Sequence, residues 1–453
     1  MINRKKMQLI ESYPKSCLTM IVLLYRLVCL VLLLSLASCS GGNTLVTGSP
    51  SPTPLPSPAP SPTPTPTGQS GTIVFISRRA LDGSDNVNIN LTANVWTVGP
   101  AGTNLKPLTR MTAAGADTLS ASFSPDGRKL AFVSTRALDG SDAANSNGTP
   151  NVWIMNPDGS GVIAISSLKN VGDRAVANLQ WSPDGTKLAF ESTRPLDGSD
   201  APELGNPLNI WVMKADGTSP TPLTRHTLPG TDTFAPFWSP DGSKLTFASA
   251  QNAFVMNADG SAVVQLTKIT ASGVVASSPL WSPDGTRLSF MSNQALDGSD
   301  TANLNFTNNI WVMKNDGTGA TPVTRLTAFG ANALGGVWSP DNTKLLFISE
   351  RALNGTDLAN AANNVWVVNA DGSGASPLTK LTAVGAGTGE FPVWSRDGSK
   401  IAFASSRALD GSDAENTSRT MNVWVMHSDG LTPTPLTSLT KVPADNPVPA
   451  WQP

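Results

Sequence analysis

A seven-residue motif, RALDGSD at 136–142, recurs through this 453-residue chain and sets two acidic side chains around a glycine in all copies but one. The other copies are RALDGSD at 79–85 and 407–413, RPLDGSD at 194–200, QALDGSD at 294–300 and RALNGTD at 351–357. The first acid is Asp82, Asp139, Asp197, Asp297 or Asp410, with Asn354 in the remaining copy. The second is Asp85, Asp142, Asp200, Asp300, Asp357 or Asp413. Three residues later stands Asn88, Asn145, Asn303, Asn360 or Asn416, with Glu203 in the copy at 194–200. Two chemistries fit this pattern. A hard cation such as calcium takes several oxygens from a loop with a glycine-permitted sharp turn. Alternatively, the side-chain oxygens cap amides of their own loop as Asx turns. The spacing departs from the EF-hand pattern and no bidentate acid follows downstream, so the capping role is the primary reading and no cofactor is required. The arginine that opens five copies (Arg79, Arg136, Arg194, Arg351, Arg407) is placed to pair with its own loop's acid.

Cysteine chemistry is confined to the start of the chain. Cys17, Cys29 and Cys39 are the three cysteines. Arg4, Lys5, Lys6, Lys15 and Arg26 give a basic lead, and LVCLVLLLSL at 27–36 is an apolar run too short to span a bilayer. The sequence LASC at 36–39 resembles a bacterial lipobox, in which the cysteine is acylated and becomes the first mature residue. Residues 1–38 therefore read as a lipoprotein signal peptide, with Met1 or Met20 as its start. Ser40 after the cysteine implies, by the sorting rule of such lipoproteins, the outer membrane. Residues 49–66 carry proline at every second position, which fixes φ and removes donors, so 39–70 is expected to be a lipidated, stiff spacer. With 31 Lys and Arg against 33 Asp and Glu, and five of the bases before Cys39, the remainder is acidic. That argues against nucleic acid as a partner.

From residue 71 the chain is one repeat in seven copies, and the elements that carry the loops follow from it. An aromatic followed by SPDG or a near match stands at Phe123, Trp181, Trp238, Trp281, Trp338 and Trp394, with a truncated WQP at Trp451; successive spacings are 58, 57, 43, 57, 56 and 57 residues. A second marker, Asn-Val/Ile-Trp, ends at Trp96, Trp153, Trp211, Trp311, Trp366 and Trp424, with Phe254 in the fourth copy. All twelve tryptophans fall into these two registers, where inter-blade packing is the expected role rather than sugar stacking. Each unit reads as four short strands: KLAFVS after the SPDG turn, the LDGSD loop, NVWIM, a tight NADGS-like turn, then PLT. Four antiparallel strands repeated seven times predict an all-β, seven-bladed β-propeller over 71–453.

The W-S-P-D-G turn followed by a K-L/I-A-F strand resembles the TolB-type propeller repeat. That resemblance implies a propeller of the kind found on binding proteins, peptidases and lyases. True TolB carries an α/β domain before its propeller, whereas here the lipobox and proline-rich segment occupy that place. NPVPAW at 446–451 matches GEFPVW at 389–394, so the C-terminus is expected to supply the inner strand that the first unit lacks and to close the ring. The LDGSD loops then share one rim with the inter-blade segments, while the SPDG and NADGS turns lie on the opposite face. Histidines His226 and His427 are the only two; there is no G-x-S-x-G elbow, and no residues follow Pro453 where a peptidase domain would begin. The sequence accordingly predicts a monomeric, non-enzymatic envelope lipoprotein whose LDGSD rim docks an unidentified envelope protein, the segments 86–93 and 143–150 supplying variable contacts. The alternatives are a glycan- or small-ligand-binding propeller and, behind it, a propeller hydrolase or lyase.

Overall fold

The computed structural model describes residues 71–453 apart from 146–147, 170–175, 200–206, 229, 390, 417–419 and 442–447. The expectations placed on residues 1–70, Cys39 among them, and on Asp200 and Glu203 lie outside the described residues.

Seven four-stranded antiparallel sheets account for the repeats, one blade each, as expected of the TolB-type repeat. Blade 2 shows the pattern: Thr118–Phe123 is innermost, followed outward by Leu130–Ser134, Asn151–Met155 and Ile163–Ala164. The two middle strands are buried at every position, because each blade is covered on both faces by its neighbours. Such strands need apolar or small residues throughout, so LAFVS and NVWIM show no clean two-residue alternation.

Seven apolar clusters, one between each pair of adjacent blades, hold the ring. Trp96, Trp211, Trp311, Trp366 and Trp424 are among its largest fully buried side chains. Trp153, Trp311 and Trp366 each stack on the phenylalanine directly across the blade at 6.2 Å. The other tryptophan register forms a collar at the SPDG end. Six indole N–H groups each donate to the inner strand of the preceding blade, as from Trp181 to Ser122 O and from Trp451 to Val393 O, both 3.3 Å. Phe123, which has no N–H to donate, interrupts the series.

Closure is as expected. Ala450–Trp451 is the inner strand of blade 1, ahead of Ile73–Ser77, Asn94–Val98 and Lys106–Pro107. Ile73 faces Trp451 and Val74 faces Ala450. The Gln452 amide donates to Thr72 O at 2.7 Å, and its side chain donates to Gly127 O of blade 2 at 3.0 Å. Blade 4 lacks the long loop: its middle strands join through Ala250 and Gln251, both at positive φ (42° and 63°). That is the backbone of a two-residue primed hairpin turn, filled here without glycine.

Candidate functional site: the loop rim

Local geometry places the first acid of each motif in an Asx turn. The Oδ1 of Asp82, Asp139, Asp197, Asp297 and Asp410 accepts from the amide two residues on, at 2.8 Å in every case. Asn354 does the same toward Thr356 at 3.0 Å. The glycine between holds φ near +83°, as at Gly83 and Gly298, a left-handed conformation that glycine adopts without penalty. Hydrogen bonds from the following serine keep these exposed carboxylates below their ordinary pKa. The capping role is thus what the first acid performs.

The second acid reaches out of its own loop to the inter-blade segment. Asp142 accepts from the Thr112 amide (2.8 Å), the Thr112 hydroxyl and the Ala113 amide (3.1 Å). Asp300 does so from Thr270 and Ala271, Asp357 from Thr327 and Ala328, and Asp413 from Thr382 and Ala383. Asp85 takes the same bonds from Thr440 and Lys441, joining the first loop to the last segment. Burial raises the pKa of Asp85, Asp142, Asp357 and Asp413, but the threonine hydroxyl and the amides outweigh it and leave each below the ordinary value. Asp300, without appreciable burial, is lowered by Thr270 and Ala271. All described motif acids therefore spend oxygens on amides and hydroxyls of the chain, and among the described residues no group of three or more His, Cys, Asp or Glu is gathered for a metal.

The sign of the pH effect follows. A carboxylate lowered by folding stabilises fully above its unfolded pKa of about 3.9, and that contribution is lost as pH falls through the lower folded values. Thermal stability should hold from neutral pH to about 5 and drop in more acid solution. Replacing Asp85, Asp142, Asp300 and Asp413 together by Asn should lower the neutral melting temperature and flatten the acid limb. Melting scans from pH 3 to 7 check this, and an acid limb of unchanged slope would show that the clasps contribute nothing. The SPDG acids stay as an internal reference, Asp397 being held to about 2 by Ser395 and Ser399.

The motif arginines face the acids of their own loops, as Arg136 does Asp139 and Asp142 and Arg407 does Asp410 and Asp413, and they make further contacts besides. Each guanidinium donates to its loop's glycine carbonyl, at 2.5 Å from Arg79 to Gly83 and 2.6 Å from Arg136 to Gly140, with Arg194, Arg351 and Arg407 likewise bonded to Gly198, Gly355 and Gly411. The same groups lie over Trp96, Trp153, Trp211, Trp366 and Trp424 at 4.9 to 5.3 Å from the ring centres. A flat cation covering an indole explains why the arginine and the tryptophan recur together.

Beneath the rim, the asparagine before Val/Ile-Trp clamps the inter-blade segment in all seven blades. Asn364 donates to Leu381 O at 2.9 Å and accepts from the Leu381 amide (2.7 Å) and the Thr379 hydroxyl (2.8 Å). Asn252 of the loopless blade makes the same set with Ile269 and Thr267, so this role belongs to the strand, as expected. The asparagine three residues after each motif's second acid forms another layer, whose reach to the inter-blade segment the motif alone did not indicate. Asn88 donates to Thr92 O and Met111 O, and Asn145 to Thr149 O and Leu168 O. The segments 86–93 and 143–150 are thus only partly available for contacts, since Asn88, Thr92, Asn145 and Thr149 are buried. What stands clear is Val87, Ile89 and Leu91 in blade 1, with Leu304 and Phe306 as their counterparts in blade 5. Those residues ride on short 3-10 turns, Ile89–Leu91 and Leu304–Phe306, each capped by its asparagine; the sequence reading contained no helical turn.

No family model matches the chain. A peptidase of Bacillus subtilis (strain 168), described as the uncharacterized peptidase YuxL, is 28% identical over 123 residues, which is 27% of this chain and 16% of that protein. Among solved structures, TolB from Acinetobacter baumannii is 16% identical with a TM-score of 0.45, covering 80% of this chain and 79% of that one. An oligogalacturonate lyase from Vibrio parahaemolyticus is 14% identical with a TM-score of 0.50, covering 74% and 83%. A prolyl endopeptidase is 12% identical with a TM-score of 0.54, covering 76% of this chain and 46% of that one. The likenesses to the lyase and the endopeptidase show the propeller fold. They also correct the expectation that the chain is not an enzyme. Absence of a local catalytic signature was the ground for it, yet this fold is shared with a lyase and an endopeptidase, and the curated relative is described as a peptidase.

Proposed function

We propose that this chain is a cell-envelope lipoprotein, lipidated at Cys39, that presents its propeller as a protein-docking platform through the LDGSD rim. The observation that carries this reading is the division of labour within each loop. Motif oxygens are spent on holding the loop, and the residues beyond it, Ile89 and Leu91 in blade 1 and Leu304 and Phe306 in blade 5, are held out in solvent. Rigid scaffolds with exposed, varied loops are where recognition concentrates. The opposite face is built of near-identical turns such as Asn257–Asp259–Ser261 and Asn369–Asp371–Ser373, which carry the same bonds each time.

Cross-linked capture from native membranes tests the reading. Ile89→Ser with Leu91→Ser and Leu304→Ser should remove the cross-linked partner while leaving the melting temperature unchanged, and Leu431→Ser, exposed in a turn of the opposite face, should retain it. The reverse pattern would place docking on the turn face. In the same preparations Cys39→Ser should move the protein from the membrane to the soluble fraction; unchanged fractionation would remove the lipid from the proposal.

A further inference from the structure

Five large apolar side chains stand in solvent along one arc of the rim: Leu304 (66% exposed), Phe306 (58%), Phe329 (81%), Leu358 (61%) and Val384 (79%). They belong to neighbouring loops that are bonded to one another. Asn305 donates to Thr327 O and Thr307 to Ala328 O, both at 3.1 Å, which ties the blade 5 loop to the segment carrying Phe329. Asp357, next to Leu358, accepts from the Thr327 and Ala328 amides on the other side. Asn360 then donates to Leu381 O at 2.7 Å, three residues before Val384. The arc is therefore continuous and held in place, so little ordering entropy opposes binding there.

Packing does not require these side chains. Phe329 and Val384 occupy the tip of a Thr-Ala-X-Gly turn whose counterparts elsewhere are Ala114 and Ser272, and those turns make the same bonds to their aspartates. A contiguous exposed apolar patch on a scaffold that does without it elsewhere marks an interaction surface. Charge then selects the partner. Asp297 and Asp300 in blade 5, Asp357 in blade 6, and Asp410 and Asp413 in blade 7 edge the arc. All are held below their ordinary pKa and stay ionised near neutrality. Among the described residues, the exposed bases on these segments are Lys268, Arg325 and Lys380, each one residue before the buried Ile269, Leu326 or Leu381. The motif guanidiniums Arg351 and Arg407 lie over indoles beneath the loops. Acids thus predominate among the described residues of the arc.

We propose that the arc carried by blades 5 and 6 binds a cationic amphipathic segment of a partner protein, with apolar side chains over Phe306, Phe329 and Leu358 and Lys or Arg toward the flanking aspartates. This rests on the docking-rim reading and names the partner's chemistry. An anionic lipid surface is repelled by the same acids, and a second copy would bring like charge against like.

The test measures binding of a fluorescent helical peptide of leucine and lysine to the full chain, with a leucine–glutamate peptide as the charge-reversed probe. The lysine peptide should bind saturably and more weakly as salt rises, while the glutamate peptide does not bind. Phe329→Ser with Leu358→Ser should weaken the lysine peptide about tenfold or more at an unchanged melting temperature, and Phe306→Ser alone should weaken it by a smaller factor. Equal binding of both peptides, or lysine-peptide binding indifferent to these variants, overturns the proposal. So does self-association of the chain that Phe329→Ser abolishes, or uptake by anionic vesicles, which would put a second copy or a membrane in the partner's place. If native capture still depends on Ile89 and Leu91 while the lysine peptide ignores Phe329, the partner class fails and the docking rim stands.

Discussion

A chain shortened by residues 448–453 should melt roughly 8 °C or more below the full chain and lose its sharp, single transition. Two ladder pairs, Ile73 with Trp451 and Val74 with Ala450, disappear with that segment. So do the Trp451 indole's bond to Val393 O and the two bonds of Gln452 to Thr72 and Gly127. Trp451 also packs on the cluster of Ile73, Phe75, Trp96 and Val423 that joins blade 7 to blade 1. Loss of a large aromatic from such a cluster costs about 3–5 kcal/mol, and at about 2–4 °C per kcal/mol or somewhat less for a domain of this size the shift is large. The ring would become an open array with two terminal blades, whose stability is a sum of neighbour interfaces rather than one cooperative unit. Calorimetry of both chains reads this directly, and superimposable transitions would mean that closure is dispensable.

Equally large should be the effect of Asn364→Ala. The side chain is fully buried and satisfies three groups at once: the Leu381 carbonyl, the Leu381 amide and the Thr379 hydroxyl. Truncation leaves these in the interior without that partner, at about 1–3 kcal/mol for each group left unsatisfied, so we expect a loss of about 3–5 kcal/mol in denaturant titrations. Asn252→Ala, in the blade without a long loop, should cost the same, because its bonds are the same. A loss below about 1 kcal/mol at both sites would show that the carbonyls and amides find other partners.

The blades, their four strands and the closing strand were legible because the repeat is written in local spacing: an aromatic before SPDG, an asparagine before Val/Ile-Trp, and a C-terminal fragment matching inner strands. The Asx turns were legible for the same reason, since Asp82 and Ser84 lie two residues apart. The second acids were not. Asp142 meets Thr112 at a separation of 30 residues and from another part of the ring, and nothing in LDGSD specifies which threonine it will find. The arginines could be matched to their loops' carboxylates because charge is visible in a sequence, but the glycine carbonyl and indole face they also meet are offered only by the folded loop. The expectation of a non-enzyme rested on missing local motifs, and it is overturned by a sequence match to a peptidase and by a fold shared with a lyase and an endopeptidase.

The clasp between Asp85 and Thr440 spans 355 residues, whereas the other clasps span 29 to 31. On a chain emerging N-terminus first, Ile73–Ser77 is made at the outset yet finds its inner neighbour only with the last few residues. Until then its edge, with Val74 and Phe75 beside it, is an unpaired strand open to other chains, and the wait is longest when synthesis is slow. Six junctions of the ring can assemble as the chain arrives, and the seventh is a timing problem. Any factor that shields a nascent β edge would be needed at one place on this protein, the first strand of blade 1.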